Sequence, residues 1–561
     1  MIGPSSRRSR IALWTSGLAA IFLFRLAFGL SSEFFFEDQT QIFLIGLRSY
    51  ATGHWPYFGA DVVWTRSQIP GALQGLLVGV PLQIVPAPES SFVLLNILSF
   101  SAICLLAWNV TRSLPSLPKW LVFGWFLTTP WTLQFGTTML NPSYAIPAAI
   151  VFFIGFFEAV PLFTLQLLRP AIAHAMMGAA VVWVAQFHLS WPLLGPYALA
   201  AWLSRWRDGG RALAQNACAA IAGAAVPFLF IAPTLWKYGV AGGSGGTGEN
   251  LHPHFVNPWI LVTSLARFLS FPSLEVSRFI ATDGAKRLEL FEQHKWLAVP
   301  AAIVWVVGII QPVWMLVELI RPVSRFPVED RRNQWRALRL LVVASIALVY
   351  ASYFFVIEPP QAHAFYVLSP IAFLVAGYWW LRIDSPRSRR WAAAILAANV
   401  VFHTGLAIVQ FPDRSLYKRR DVVVAAIRSK NFEMIGHRRP FALDAGPYQL
   451  DPAIPRDVQR DVVFSGAAFT RRFDGSVHWS FRVENRNPRV AYRDILYYTT
   501  YRRADGSEVQ RHEFIKDIFE PCDNRAVELN DGYVRTDFVD ATIRMVAAEA
   551  IAPAVSACAV Q

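Results

Sequence analysis

Two carboxylates, Glu37 and Asp38, stand in the segment Phe34-Phe35-Phe36-Glu37-Asp38-Gln39-Thr40-Gln41, where the first apolar run, residues 11–30, gives way to polar sequence. An acid at the mouth of a membrane helix can act as a general base toward an acceptor at the bilayer surface. The ordinary alternative is a solvated acid favoured by the positive end of the helix that follows. Arg66, Asn141, His188, Lys237, His252, His254, Glu358, His363 and Tyr366 all fall at helix ends or in loops expected on that same face. Carboxylates beside cations at one face suit a reaction in which an acid deprotonates the acceptor while Arg, Lys or His holds a phosphate leaving group. His188, in Gln186-Phe187-His188-Leu189-Ser190, reads by default as a polar residue satisfied between helices, whereas His363 opens an apolar run where a lipid phosphate would be met.

The elements that position these residues follow from composition. Of 561 residues, 54% are hydrophobic and only 16% charged, more apolar surface than a soluble chain can cover. The net charge of +13 does not point to nucleic acid, because the arginines sit in short loops between apolar runs, as the positive-inside rule asks. Cys104 and Cys218 lie in apolar runs and Cys522 and Cys558 in the tail, without the Cys-x-x-Cys spacing of a metal site. A bridge between Cys522 and Cys558 is permitted by an extracytoplasmic compartment and by nothing else. Arg7, Arg8 and Arg10 precede the first run, and no Ala-x-Ala site follows it, so a retained helix with a cytoplasmic N-terminus is expected.

Further apolar runs centre near Leu77, Leu98, Phe126, Phe153, Val182, Ala198, Ala224, Val306, Ala347, Val375 and Leu396. With the first they predict a polytopic α-helical membrane protein of about 11–13 spans. The Arg-rich stretches 205–211, 321–339 and 382–390 are expected in the cytoplasm, which places residues 237–296, 358–363 and everything after Pro412 outside. On this count the parity is off by one between residues 111 and 168. The suspected cause is residues 120–143, where Pro130 and Asn141-Pro142 can divide one apparent span into two short helices.

Residues 38–50 carry apolar positions near helical spacing and predict a helix lying on the outer membrane face, followed by a turn over Gly53-His54-Trp55-Pro56-Tyr57-Phe58-Gly59. The glycine run at 242–248 lacks the Lys-Ser/Thr of a phosphate-binding loop, and reads as a linker or a loop that orders over substrate. After Pro412 the spans stop. Alternating segments 476–484, 495–501 and 533–539, separated by Asp474-Gly475, residues 485–488, Asp505-Gly506 and Asp531-Gly532, predict a C-terminal extracytoplasmic β-sandwich. The expected division is 1–411 membrane domain, 412–460 linker with a helix around residues 421–428, and 461–561 β-sandwich domain.

In this order, the acidic pair, the Gly53–Gly59 turn, Ile69-Pro70-Gly71, Asn141-Pro142-Ser143, residues 186–190 and the late His363-Ala364-Phe365-Tyr366 segment resemble the integral-membrane glycosyltransferases of the C-type fold. The likeness is to the bacterial branch related to protein O-mannosyltransferases and lipid A aminoarabinose transferases, and it covers residues 11–410. It implies a polyprenyl-phosphate sugar donor, transfer on the non-cytoplasmic face of the inner membrane, and an envelope glycan, lipid or protein as acceptor. Asp38 would match the Asp of the family's Asp-Glu pair and serve as base. Gln39 then stands in the Glu position, and Glu37 is displaced by one residue, about 100 degrees around a helix. The late motif assigns His363 and Tyr366 to the lipid phosphate, with Arg66 and Lys237 as further phosphate ligands and Gln39, Asn141 and His188 lining the acceptor pocket. No cofactor is required, with a divalent cation as an optional assistant to the leaving group. A transporter or flippase for a lipid-linked sugar is disfavoured by the lack of internal halves with paired broken helices. A non-catalytic assembly subunit is favoured by the Asp-Gln departure and the unmatched tail.

Overall fold

The computed structural model describes residues 4–32, 37–62, 67–160, 166–240, 257–273, 290–322, 329–355, 367–410, 420–430, 454–471, 476–515, 517–533, 538–551 and 553. The chain divides into two compact units, Met1–Phe432 and Glu433–Gln561. The first is a helical membrane bundle and the second is built of β-sheets, so the protein is a polytopic α-helical membrane protein with a C-terminal β domain.

Helix α1 (Pro4–Ser32) runs from what is here called the near end of the bundle to the far end. Helix α4 (Glu89–Ser113) returns antiparallel to it, since Arg25 meets Asn96 and Ser99 while Phe22 meets Phe100. Between them lie α2 (Glu37–Thr52), a hairpin of β1 (Phe58–Val62) and β2 (Ser67–Pro70), and α3 (Leu73–Ile84). The run around Leu77 was expected to cross, and it does not. Helix α3 follows the hairpin at the far end and leads within a few residues into the far-end start of α4, so both its ends lie at that one end. Removing it as a span restores the parity that residues 120–143 were suspected of breaking.

Those residues do contain the expected break. Helix α5 (Lys119–Thr128) stops at Thr129, α6 (Pro130–Thr137) continues to the far end, and α7 (Asn141–Ala159) turns back. Proline at the first position of α6 cannot supply the N–H that continuation of α5 would need. Arg25, fully buried, takes up the Leu127 carbonyl freed at the break, donating to it at 2.6 Å, and donates also to Thr132 O at 3.1 Å and Ser99 Oγ at 3.0 Å. The two pieces together make one traverse, so the break leaves parity unchanged.

Helices α8 (Pro170–Ala185), α9 (Gly195–Ser204) and α10 (Gly210–Phe228) follow, with α10 bent by 72° into α11 (Ala232–Tyr238). A short helix, α12 (Trp259–Ser270), dips into the bundle, where Pro272 O accepts from Trp125 and Gln311. Helices α13 (Ala298–Ile320), α14 (Glu329–Tyr353), α15 (Ser369–Trp380) and α16 (Pro386–Gln410) complete the bundle, and α17 (Arg420–Ser429) docks through an Arg420–Glu89 pair at 2.6 Å. Among the described residues six helices are long and apolar enough to cross a membrane, or seven with the bent pair. The sequence count of about twelve treated every apolar run as one such helix.

The β domain is a sandwich of two antiparallel three-stranded sheets. One holds β3 (Val462–Arg471), β4 (Ser476–Asn485) and β7 (Asn524–Tyr533); the other holds β6 (Glu508–Ile515), β5 (Ala491–Arg503) and β8 (Phe538–Ile551). Val477, Trp479, Phe481, Tyr492, Tyr497, Tyr501 and Phe538 fill the space between them. Of the segment 533–539, Tyr533 ends β7 and Phe538 and Val539 begin β8, and residues 534–537 lie outside the described residues. Asp531-Gly532 is strand and not turn, because the buried Asp531 carboxylate accepts from Thr499 and Tyr501 hydroxyls at 2.5 Å each. Asp505-Gly506 does turn, with φ of +83° at Gly506, a conformation glycine takes without strain. Cys522 is disulfide-bonded, Cys104 and Cys218 are free thiols, and Cys558 lies outside the described residues.

Candidate active site at the far end of the bundle

Backbone and side-chain contacts bring segments far apart in sequence to one end of the membrane unit. Gly29, near the end of α1, lies against Thr137 at the end of α6, so close that a Cβ on it would stand 2.7 Å from Thr137 Cβ. Asn141 begins α7 directly afterwards, half-buried, and Trp183 near the end of α8 donates to Tyr144 O at 2.9 Å. Gln186 in turn donates to Pro227 O at 2.8 Å, which ties the end of α8 to the end of α10. The α10–α11 bend holds the hairpin through Ala72 N to Phe230 O at 3.0 Å and Thr234 Oγ1 to Tyr57 O at 2.6 Å.

Glu37 and Asp38 are the first two residues of α2, and their side chains lie outside the described atoms. Helix α2 was expected on the membrane surface. It is instead packed into the unit, with Gln39, Gln41, Ile42, Phe43, Leu44, Ile45, Leu47 and Arg48 all buried. The cause is Gly46, which meets Gly79 of α3 backbone to backbone: a Cβ on Gly79 would lie 2.5 Å from Gly46 O. Four consecutive apolar residues, 42–45, occupy more than one face, so a helix lying half in headgroups would leave some of them in water.

Lys237 closes α11 with its Nζ 4.3 Å from the Tyr57 ring centre and 5.0 Å from that of Tyr238. His188 is half-buried, its Nδ1 within 2.8 Å of Ser190 Oγ and accepting from Ser190 N at 3.1 Å. Arg66, in residues 63–66 between β1 and β2, lies outside the described residues, as do His252, His254, Glu358, His363 and Tyr366. Thus Asn141, His188, Lys237 and the backbone bearing Glu37 and Asp38 share one end.

Other residues at this end escaped the sequence reading. Gln74 is fully buried; its Oε1 accepts from Ala60 N at 2.9 Å, while its Nε2 has no partner among the described residues. The Gln186 Oε1, Gln39 Oε1 and Trp55 Nε1 are buried and unpaired in the same sense. A buried unpaired polar atom costs about 1–3 kcal/mol, so four around one end mark a polar interior able to receive hydroxyls or water. The signal was present in Leu73-Gln74-Gly75, a carboxamide inside an apolar run. Arg25, alone inside the first span, was equally visible, and the structure gives it the α5–α6 joint. Among the described residues no three His, Cys, Asp or Glu side chains come together as a metal site.

At the near end the Arg-rich loops gather. Arg205 and Arg211 flank the turn into α10, and Arg382, after α15, pairs at 2.8 Å with Glu318 at the end of α13. The chemistry-bearing residues and the arginine loops thus occupy opposite ends of the bundle.

No family model matches the chain, and no curated protein matches it. Among solved structures, the arabinosyltransferase EmbB from Mycobacterium smegmatis, determined by single-particle cryo-electron microscopy, aligns with a TM-score of 0.30 and 11% identity, over 96% of this chain and 64% of that one. The chain therefore spans just under two thirds of that protein's length, and a likeness at this level carries no assignment.

Proposed function

We propose that the chain is an inverting glycosyltransferase that passes a sugar from a polyprenyl-phosphate donor to a hydroxyl or amine of an envelope glycan, lipid or protein. The reaction takes place at the far end of the bundle, on the extracytoplasmic face of the inner membrane. The observation that supports this reading is the convergence there of the helix start bearing Glu37 and Asp38 with Asn141, His188 and Lys237, from segments up to 200 residues apart. Asp38 accepts the proton as the acceptor attacks the anomeric carbon, the bond to the phosphate oxygen breaks, and polyprenyl phosphate departs as an anion. That leaving group needs opposing charge more than a proton, a role for Lys237 together with Arg66, His363 and Tyr366.

Purified protein given a panel of polyprenyl-phosphate sugars and acceptor-bearing membranes tests the reading. Acceptor labelling from at least one donor is expected. Labelling from none, with movement of the lipid-linked sugar between leaflets, would identify a flippase; neither activity would point to an assembly subunit.

A further inference from the structure

We infer that Arg321 and Arg382 form a head-group seat for an anionic phospholipid at the near end of the bundle, a site separate from the far-end chemistry. The ends of α13 and α15 meet there around one carboxylate, beside the body of α14. Glu318, only 2% exposed, pairs through Oε1 with Arg321 at 3.0 Å and Arg382 at 2.8 Å, whose side chains stay 44% and 48% exposed. Arg339 reaches in from α14 and donates to the main-chain carbonyls of Arg321 and, at 3.4 Å, Glu318. Its Nε is buried without a partner among the described residues. Among those residues two guanidinium groups thus pair with a single acid while a third holds the adjoining main chain, and the two paired side chains stay about half exposed.

The neighbouring surface selects a lipid over a free anion. The Trp314 ring lies 5.6 Å from the Arg321 guanidinium and 6.0 Å from that of Arg382, and it is 38% exposed. Trp314, Val317 and Arg321 follow one another at helical spacing along α13, and Val313, Val317 and Ile320 beside them are exposed at 58%, 38% and 75%. Apolar surface leading up to an indole and then to paired guanidiniums matches acyl chains, glycerol backbone and phosphate in that order. Arginine offers a phosphate two parallel N–H donors, and each basic residue near an anionic lipid surface contributes about a fivefold gain in affinity.

The test uses full-length protein in uncharged detergent, titrated separately with phosphatidylglycerol, phosphatidylcholine and inorganic phosphate, and read by thermal unfolding and native mass spectrometry. Phosphatidylglycerol is expected to raise the unfolding temperature and to remain bound as discrete adducts, while the other two leave both readouts unchanged. In Arg321→Gln/Arg382→Gln its apparent affinity should fall by about tenfold or more; in Arg382→Gln, which keeps Arg321 on Glu318 and guards against loss of folding, by about fivefold. An equal shift with phosphatidylcholine, the same shift with phosphate alone, or unchanged phosphatidylglycerol affinity in the single variant would overturn the assignment.

Discussion

A single carboxamide, Gln39, sets the question at the residue scale, because it stands where the resembled family carries its second acid. Its Oε1 is buried and unpaired among the described residues, so it can accept from a hydroxyl but cannot take a proton. In the proposed reaction the base is then a neighbour, and helical spacing lets only one of Glu37 and Asp38 face a given direction. Glu37→Gln is expected to lower turnover by less than about threefold, well under the roughly 10²–10⁴ of a general base; a larger loss shifts the register by one. Lys237→Met should raise the apparent donor requirement with little change in melting temperature, since the aromatic packing of Tyr57 and Tyr238 survives. In the β domain, burial first, then the Asp531 carboxylate, pushes the Tyr501 hydroxyl well above the usual phenol range. The folded state therefore holds that proton more tightly than the unfolded chain. Its contribution is complete below about pH 10 and is lost as pH rises through the folded value. Tyr501→Phe should cost about 1–3 kcal/mol at neutral pH and reduce the alkaline loss, read by near-ultraviolet circular dichroism. Asp461 runs the other way. Burial pushes it up, but hydrogen bonds from Tyr492, Asn487 and the Asp457 backbone override burial and hold it below the usual carboxylate range, so its contribution fades only as pH falls through that lowered value.

At the scale of elements, the helix pair α2–α3 depends on two glycines meeting backbone to backbone. Gly79→Ala places a methyl 2.5 Å from Gly46 O and is expected to lower stability by about 1–3 kcal/mol by forcing the helices apart. Gly17→Ala, with nothing within 4 Å, should leave the melting temperature unchanged or slightly raised, and equal effects of the two would refute the contact. This pairing was not legible in the sequence, because amphipathic spacing over residues 38–50 says that a helix has an apolar face and not which partner covers it. The α5–α6 break was legible, since Pro130 disrupts a helix whatever surrounds it. Strands β4 and β5 were legible from alternation. Asp531-Gly532 was misread because the dipeptide is a turn signal only while its carboxylate is exposed, and here two hydroxyls from the facing sheet bury it.

For the whole molecule, the informative miss is α3. Hydropathy measures how apolar a run is, not whether its two ends lie on one side of a membrane, and twelve apolar residues satisfied the first test while failing the second. Reporter fusions active only outside the cytoplasm should be silent after Gly209 and Pro386 and active after Gly245. They should also be active after Val85, where a crossing α3 would make them silent. The gathering of Asn141, His188 and Lys237 could be anticipated only as a shared face. Their convergence rests on contacts such as Trp183 to Tyr144 and Thr234 to Tyr57, which no local pattern encodes. The most direct measurement is single-turnover release of polyprenyl phosphate from its sugar by the full-length protein with acceptor present, wild type beside Asp38→Asn. Removing the base without removing volume should slow release by roughly 10²–10⁴ at unchanged expression and melting temperature, and release retained within about threefold would contradict the assignment of Asp38 and with it the proposed chemistry.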